Sequence, residues 1–470
     1  MKKIKRAAAG LAALILSVSM ASCGSSDKDS SYVDKVKVED TNDIKAIPDG
    51  AEKELEWLSY FDINPTKAVP EKRSDLTLFE NKGGSIKYSQ TTSLEVYEKL
   101  ASRLMSNDPP DMFWYEASMT FPANCVKEMF QPIDSLVNFD DPLWSGVKNM
   151  ADQYTLNGKH YVAPVNFGAC SVITYNKDMV EAAGLEDPYE LYMKGEWDWN
   201  TWYDIMDEYG QGASEDEERW GINGWFAPFI FHSTGETLIK YDADKDEYVS
   251  NLDNPAFERA SGVLYNLKKN NLYNSEWIGQ ASDAFKKNVL FYAMGTWAAT
   301  GTHGPKEDDR WAVVPMPKDP NADKMYTSID LNAYMWVKGS EKAEAMKCWM
   351  ECARIVNTQQ TYIETEKEKF MQTNPYWTEE MYTAAFKDVI SEKFTQIYDP
   401  GYGISTTLSD NGAATNPTKE ALIPYMYTSV MKEDEDGVQY TWTQLREMYK
   451  GTIDSELKTF NDAYHKYVNK

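Results

Sequence analysis

The sequence carries many flat aromatic rings, and several of them stand beside carboxylate or amide side chains in loop-like segments. There are 15 tryptophans and 30 tyrosines among 470 residues. An aromatic face packs against C–H groups, while Asp, Glu, Asn and Gln exchange hydrogen bonds with hydroxyl groups. Together these residue types predict a site for a neutral molecule with C–H faces and hydroxyl edges. For each single ring, packing in an ordinary core is the alternative.

The common catalytic signatures do not occur in the chain. The sequence contains no G-x-S-x-G, Walker A, G-x-G-x-x-G or H-E-x-x-H motif, and these motifs mark many hydrolases, nucleotide-binding proteins and zinc proteases. Its four histidines are scattered and too few to suggest a metal cluster. We therefore expect no catalytic step, no metal site and no cofactor.

One acidic pattern imitates a calcium-binding loop. Asp242, Asp244 and Asp246, with Asp253 at the twelfth position, follow the ligand spacing of an EF-hand. However, Glu247 stands where that loop needs a glycine for its sharp turn, and Asp253 replaces the bidentate glutamate. The pattern predicts an acidic hairpin between two strands, and a calcium site there stays open.

Length and charge narrow the class of protein. A chain of 470 residues is too long for one ordinary core and favours two or three domains. Hydrophobic residues make up 42% and charged residues 26%, as in a soluble globular protein. The formal charge of −26 argues against nucleic acid and against adsorption of the folded body on anionic lipid. An acidic surface that keeps the protein soluble is the simplest interpretation.

The first residues predict a targeting segment rather than part of the fold. A basic start precedes an apolar run from Ala7 to Met20 that is too short to span a bilayer as a helix. Met20-Ala21-Ser22-Cys23 resembles a bacterial lipobox, in which Cys23 receives lipid and becomes the mature N-terminus. A plain signal peptide with an unmodified Cys23 is the alternative. Residues 24–50 are mainly polar and predict a flexible tether, with a reach of about 28 Å.

The remaining chain alternates strand and helix patterns. Predicted strands lie at 55–60, 85–90, 112–115, 170–175, 289–294 and within 326–337. Helices are predicted from Ser93 with Leu94 on the apolar face, from Lys177 to Ala183, from Thr201 to Gly210 and after Val337. Residues 220–226 are predicted to form an aromatic loop, and the extended piece before Cys170 to be broken at Pro164. Cys348 and Cys352 are predicted to be buried thiols rather than metal ligands.

Several spaced elements resemble a known family. Gly158-Lys159-x-Tyr161-x-x-Pro164, then Tyr175-Asn176-Lys177-Asp178 and Ala183-Gly184-Leu185, resembles the hinge-crossing segment of bacterial extracellular solute-binding proteins, family 1. These are the maltose-binding-protein-like substrate-binding lipoproteins of sugar ABC transporters. Thr201-Trp202 at a helix start and Ala293-Met294 before Trp297 match further landmarks, over about residues 50 to 360. Asn288 departs from the family, which usually has glycine just before this strand.

The resemblance implies an α/β fold of the periplasmic-binding-protein type II class. Two α/β lobes would be joined by a hinge, with the ligand cleft between them. On this basis the chain divides as follows: signal peptide 1–23, tether 24–50, first lobe 51–164, second lobe 165–314 with a second crossing near Trp311–Pro317, return to the first lobe 315–395, and a helical part 396–470 mostly on the second lobe.

The resemblance also suggests which residues line the cleft. Trp297 and Trp225, from the second lobe, are predicted stacking platforms. The remaining candidates are Trp114, Tyr115 and Glu116 opposite them, Asn166 and Phe167 on the crossing, and Asp330 and Asn332 at the return to the first lobe.

The implied function is capture of a carbohydrate, most simply an oligosaccharide, at the outer face of the cytoplasmic membrane. The expected partners are the sugar and the permease subunits of an ABC importer, for a monomeric protein held to the membrane by lipid at Cys23. A glycoside hydrolase stays open as an alternative, because 74 acidic residues make carboxylate pairs easy to find. A surface carbohydrate sensor or adhesin is the third possibility.

Overall fold

A computed structural model describes residues 44–67, 70, 72–115, 120–307, 309–409, 421–434 and 436–470. The predicted signal peptide, Cys23 and tether residues 24–43 lie outside the described residues. The strands are β1 Glu54–Ser59, β2 Ser85–Gln90, β3 Met112–Trp114, β4 Phe130–Gln131, β5 Thr155–Leu156, β6 Lys159–His160, β7 Ala163–Asn176, β8 Trp220–Gly224, β9 Ile239–Asp242, β10 Glu247–Ser250, β11 Val289–Gly295, β12 Trp311–Pro315, β13 Met325–Thr327, β14 Ile329–Val337 and β15 Phe394–Gln396.

The helices alternate with these strands along the chain. They are α1 Ser74–Asn81, α2 Val96–Met105, α3 Lys148–Ala151, α4 Lys177–Ala182, α5 Pro188–Lys194, α6 Trp199–Gln211, α7 Ala227–His232, α8 Pro255–Lys269, α9 Ala281–Phe285, α10 Ala343–Ile355, α11 Gln360–Thr373, α12 Glu379–Tyr382, α13 Leu422–Ser429 and α14 Trp442–Val468. Among the described residues, none of these helices combines the length and apolar character that crossing a bilayer needs.

The first lobe is built on the strand order β2-β1-β3-β14-β7. Strands β1, β2 and β3 run parallel, and β14 runs antiparallel to β3. Helices α1 and α10 cover one face of this sheet with a buried core that includes Trp57 and Trp349. The predicted thiols Cys348 and Cys352 are buried in this core, as the helical spacing indicated.

Strand β7 connects the two lobes. Its residues from 163 to 170 pair with β14, its residues from 171 to 175 pair with β11, and its residues from 172 to 176 pair with β12. The second lobe therefore has the order β7-β11-β8, with β12 on the other side of β7. The predicted break at Pro164 was wrong, because the strand continues through this residue. Pro164 aligns with Ala333 beside a register irregularity, where a missing N–H is tolerated.

Strand directions bring the carboxyl ends of both sheets to the crossing. β3 and β7 are each antiparallel to β14, so β3 points along β7 toward the second lobe. β11 is antiparallel to β7, and β8 is parallel to β11, so both point back toward the first lobe. Open α/β sheets bind ligands outside the carboxyl ends of their strands, and here two such edges face each other.

The C-terminal part packs mainly on the second lobe. β15 pairs with β13, α13 contacts α7, and the buried ring of Trp442 at the start of α14 lies in the second-lobe core. The 27 residues of α14 span about 40 Å. The end of the chain reaches the first lobe, where the hydroxyl groups of Tyr467 and Tyr161 form a hydrogen bond and Lys470 pairs with Glu128.

Other local predictions differ from the structure in instructive ways. α2 begins at Val96, not Ser93, and the predicted core residue Leu94 precedes the helix with 65% of its surface exposed. Residues 220–224 form β8 rather than a loop, and α6 continues past Gly210 to Gln211. Ile44 and Ile47 pack in the first core although single apolar residues in a polar segment carry no periodic signal.

Two other local observations bear on residues discussed above. The Trp311–Pro315 strand pairs within the second lobe, and the chain returns to the first lobe through β14 instead. Asn288, which departs from the family pattern, has φ +54°. Asparagine tolerates this left-handed conformation better than most residues that carry a side chain beyond Cα, so it substitutes for the family glycine.

Candidate functional site

Strand pairing places seven described residues near the crossing between the two sheets. We call this set the junction site: Asn166, Phe167, Gly168, Trp225, Trp297, Asp330 and Asn332. Six of the seven are half-buried and Asp330 is exposed. The two tryptophans follow strands of the second lobe, and the other members lie on the crossing strands β7 and β14.

Trp297 is seated by the glycine at the end of β11. Gly295 is the last residue of this strand, and a Cβ atom added there would lie 2.6 Å from the indole Nε1 of Trp297. The indole therefore folds over the bare Cα of Gly295 and packs on the second-lobe core with part of its surface exposed. Any larger residue at position 295 would displace the ring.

Trp225 is held beside the same strand. Its backbone N–H donates to the Ala293 carbonyl oxygen at 2.8 Å, and the Ser171 hydroxyl contacts the Trp225 carbonyl oxygen at 3.5 Å. Gly224, which precedes it, has φ +115°, and a Cβ there would lie 1.9 Å from the Ala293 carbonyl oxygen. Only glycine allows this approach. Both indoles consequently lie at the carboxyl edge of the second-lobe sheet, next to β7.

Asp330 supplies a carboxylate at the crossing. Its surface is open to solvent, while desolvation by the protein around it raises the pKa to about 6. Among the described residues, no basic side chain forms an ion pair with Asp330. Gly168 lies against it, since a Cβ there would be 3.0 Å from the Asp330 Cβ.

Two amides and one ring complete the junction site. Asn166 and Asn332 are paired in register on the adjacent strands β7 and β14, and both are half-buried. Within the described part of the chain, their side-chain amides form no hydrogen bond, so they remain available to hydroxyl groups. Phe167 is half-buried and packs against both the first-lobe core and the larger core that extends through the second lobe.

The first-lobe candidates lie elsewhere. The side chain of Trp114 is 8% exposed and contacts the rings of Trp57, Phe61 and Tyr334 in the core below α10. The neighbouring Tyr115 points to the opposite face, as alternation in a strand requires, and is 3% exposed. Neither residue offers an open ring face to the junction site. Glu116 lies outside the described residues.

Tyr115 belongs to an aromatic group that the sequence did not reveal. Its hydroxyl donates to the Tyr154 hydroxyl at 3.1 Å, and Tyr154 lies 4.4 Å from Tyr398, ring centre to ring centre. Tyr398 in turn donates to the Phe121 carbonyl oxygen at 2.6 Å. We call Tyr115, Phe121, Tyr154 and Tyr398 the tyrosine cluster. Because Asp330 acts on the pKa of Tyr154, the cluster lies close to the junction site.

The clearest sequence signal for the cluster is the high tyrosine count of the C-terminal part. Nothing in that part indicates that its Tyr398 pairs with Tyr154, 244 positions earlier along the sequence. Tyr60 and Phe61 were also not singled out, although they follow β1 and stay half-buried at the carboxyl edge of the first-lobe sheet. Their position directly after a predicted parallel strand could have marked them as candidates, because ligands bind outside the carboxyl ends of such strands.

A buried polar chain near β14 has the residue types of a hydrolase site. Ser328 Oγ lies 2.7 Å from His232 Nδ1, His232 Nε2 lies 3.2 Å from the Tyr427 hydroxyl, and that hydroxyl donates to Asp399 at 3.2 Å. Burial lowers the pKa of His232 to about 4 and raises that of Asp399 to about 6. His232, Tyr427 and Asp399 are all buried, so this chain satisfies polar groups within the core rather than meeting a substrate.

The acidic EF-hand-like segment forms the predicted hairpin. β9 and β10 pair antiparallel around a turn in which Asp246 has φ +54°. The carboxylates are engaged by neighbours: Asp246 accepts hydrogen bonds from Tyr241 and Tyr464, and Asp253 pairs with Lys450. Over the described residues, no group of three or more His, Cys, Asp or Glu side chains is placed to hold a metal ion.

Comparison with known proteins shows which family the sequence matches. The family described as "Bacterial extracellular solute-binding protein" matches residues 66–353, well over half of the chain. Among curated proteins, none matches the sequence.

Solved structures resemble the whole fold. The substrate-binding protein Lmo0181 from Listeria monocytogenes, in complex with cycloalternan, is 17% identical, with a TM-score of 0.56 over 87% of this chain and 99% of that one. A solute-binding protein from Thermotoga lettingae bound to α-D-tagatose is 17% identical, with a TM-score of 0.54 over 86% and 100%. The GacH receptor of Streptomyces glaucescens, solved with acarbose, is 16% identical, with a TM-score of 0.55 over 87% and 99%. These likenesses confirm the predicted type II fold.

Proposed function

The chain belongs to the bacterial extracellular solute-binding proteins, and we propose that it captures an oligosaccharide at the junction site and passes it to the permease of an ABC importer. The family and the similar structures named above are binding proteins, and no catalytic relative is among them. A binding role fits a junction site built from stacking rings and hydrogen-bonding groups.

The observation that carries the proposal is the placement of two partly exposed indoles and one carboxylate on neighbouring strands and strand ends at the crossing, with no ion pair to that carboxylate among the described residues. Trp225 and Trp297 lie at one edge of the second-lobe sheet, and Asp330 lies on the adjoining crossing strands. Indole faces hold the C–H faces of a pyranose ring, and Asp330, Asn166 and Asn332 accept or donate hydrogen bonds at its hydroxyl edges. This combination matches a neutral polyhydroxylated ligand.

Charge excludes one class of sugar from the proposal. The titratable residue of the junction site is Asp330, which forms no ion pair with a basic side chain among the described residues. The whole chain has a net charge of −26. A uronic acid or sugar phosphate would meet repulsion there, because bringing two like charges close together costs free energy. The ligand is therefore a neutral sugar.

Two lobes joined by crossing strands give a way to signal occupancy. A ligand that touches both edges stabilises the conformation in which the edges are close together, and a permease can recognise that conformation. Lipid attachment at Cys23 would keep the protein near the permease, and the polar segment after it would act as the tether. The tether is proposed to end before Ile44, the first residue seen in the core.

A screen of sugars tests the proposal directly. The full chain is heated with a panel of neutral mono- and oligosaccharides, and a ligand that binds only the folded state raises the melting temperature. We expect at least one neutral glycan to raise it, and glucuronic acid and glucose 6-phosphate to leave it unchanged. No shift with any glycan would contradict the proposal, and release of reducing ends from a glycan would indicate a hydrolase instead.

The same ligand allows the closure to be measured. Small-angle X-ray scattering with and without the best sugar should show a smaller radius of gyration in the saturated protein. A saturated protein of unchanged radius would leave sugar binding intact and remove the closure step.

A further inference from the structure

We propose that Trp277 forms a third sugar-binding platform, so that the ligand extends over at least three consecutive rings across the second-lobe edge. This inference rests on the proposed function and specifies its ligand class. Trp277 is 65% exposed, which is the largest exposure of any tryptophan in the described chain. A single exposed ring is common on protein surfaces, so the inference depends on where Trp277 lies relative to Trp225 and Trp297.

The position of Trp277 follows from strand pairing. Tyr273 forms a parallel bridge with Ile222 of β8, supported by the Ile222 N–H to Leu272 oxygen and Asn274 N–H to Ile222 oxygen bonds at 3.0 and 2.9 Å. The segment around Tyr273 therefore acts as one more strand beyond β8, running in the same direction as β8 and β11. Trp277 follows this segment as Trp225 follows β8.

Three parallel segments are thus each followed by a tryptophan at the same edge of the sheet. Trp297 follows β11, Trp225 follows β8, and Trp277 follows the added segment. Neighbouring strands lie about 4.8 Å apart, a step comparable to the length of one pyranose ring. A chain of sugar rings laid across this edge would meet one indole after another.

The loop that carries Trp277 is held in place by hydrogen bonds to residues before and after Trp277 in the chain. Asn223 Nδ2 donates to the carbonyl oxygens of Asn274 and Glu276, at 2.8 and 2.7 Å. The Tyr292 hydroxyl, from β11, donates to the Ile278 carbonyl oxygen at 2.7 Å. The exposed indole is consequently not the tip of an unsupported loop, and little conformational entropy is lost when a ligand stacks on it.

A third attachment links this loop to the segment that follows Trp297. His303 Nδ1 lies 2.8 Å from the Gln280 side-chain oxygen. The loop is therefore tied to β8, to β11 and to the turn beyond Trp297. These ties place Trp277 at the outer end of the edge, farther from the crossing strands than Trp225.

The experiment compares affinity with chain length. Calorimetry on the full chain measures the affinity for a series of glucose oligomers of one to six rings, from glucose and maltose to maltohexaose. The same measurement is made with cello-, xylo-, manno- and fructo-oligosaccharides of matching lengths. For the best series, we expect affinity to rise up to at least the third ring. Trp277→Ala should lower the affinity for three or more rings by about three- to ten-fold and leave the one-ring and two-ring ligands unchanged. Trp277→Phe should restore most of the loss.

Tyr376→Ala provides the matched control. Tyr376 is 43% exposed but lines a small cavity with Lys177 and Trp311, at the end of the second-lobe sheet opposite Gly295. Tyr376→Ala should leave the affinity for sugars of every length unchanged. The inference is overturned if Trp277→Ala binds all lengths like the parent, or if affinity stops rising after two rings; binding of short sugars then still supports the proposed function. If no glycan in any series binds the parent protein, both proposals fail.

Discussion

The two lobes present different surfaces to the crossing strands. On the second lobe, Trp225 and Trp297 stand at the strand ends with part of each indole exposed. On the first lobe, the corresponding strand end carries Trp114 and Tyr115, and both are buried in cores on opposite faces of the sheet. Equivalent positions at two facing edges therefore serve different purposes.

The physical origin of this difference lies in the residues that precede each ring. Gly224 has φ +115° and lets the chain turn after β8, whereas Gly295 leaves the space that the Trp297 indole occupies after β11. Trp114 is instead the last residue of β3 and still follows its alternation, opposite Tyr334 of β14. We infer that the ligand first stacks on the second lobe, and that the first lobe contributes mainly polar groups and the half-buried Tyr60 and Phe61.

Replacing Trp114 gives the largest expected effect on stability. Trp114→Ala removes a ring that contacts Trp57, Phe61 and Tyr334, and such core truncations typically cost about 3–5 kcal/mol. Denaturant unfolding of the two proteins measures the loss. The best sugar should keep its affinity for the fraction that remains folded. A variant with unchanged stability and lost binding would make Trp114 a platform and remove the contrast between the lobes.

Replacing Trp297 should produce the reverse pattern. Trp297→Ala removes a partly exposed indole, so the free energy of unfolding should change little, while affinity for the best sugar should fall about 10- to 100-fold. Trp297→Phe keeps a ring in the same place and should recover part of the loss. Unchanged affinity in Trp297→Ala, measured by calorimetry, would place the ligand elsewhere.

The fold could largely be predicted from the sequence because its signals are local and ordered. The Asn157-Gly158 turn, the buried strand Val289–Met294 and the Gly184 helix stop each follow from short-range chemistry, and the structure confirms them. What the sequence could not supply is the side of the sheet on which a ring lies. In the sequence, Trp114, Tyr115 and Trp297 are all aromatic residues at the end of a strand pattern. Only the strand register, and the glycine two residues before Trp297, decide which ring is buried and which stays partly exposed.

Distant pairings were also beyond local signals. The stack of Tyr154 on Tyr398 and the added strand that presents Trp277 depend on contacts between segments far apart in sequence. Residues 220–224 illustrate the same limit, since two glycines suggested a loop although the parallel partner β11 stabilises a strand.

The pH dependence of binding tests whether Asp330 acts as an acceptor. Its pKa of about 6 means that the carboxyl group is ionised above that value and neutral below it. A sugar hydroxyl that donates to the ionised form loses this partner on acidification, so affinity should be constant above pH 7 and fall about ten-fold by pH 5. Calorimetry from pH 5 to 8 measures the profile. Asp330→Asn should bind more weakly at pH 7 and show a flatter profile.

Stability should respond to the same group with the opposite sign. Because folding raises the pKa of Asp330 above its ordinary value, the ionised form disfavours the folded state, and this effect grows as the pH rises through about 4 to 6. Asp330→Asn should therefore not lower the melting temperature at pH 7. A variant that melts earlier and keeps the pH profile of the parent would show that Asp330 is structural.

The smallest effect is expected within the tyrosine cluster, and it tests the burial of Tyr115. Tyr115→Phe deletes the hydroxyl that donates to Tyr154 and keeps the ring in its core position, 5.1 Å from Tyr154. One lost hydrogen bond costs about 1 kcal/mol, and denaturant unfolding can resolve this difference. Sugar affinity should be unchanged, because the hydroxyl points into the cluster rather than toward the junction site. If Tyr115→Phe instead weakened binding several-fold at unchanged stability, the first lobe would contribute a ring hydroxyl to the ligand, and the two edges would be more alike than their exposure indicates.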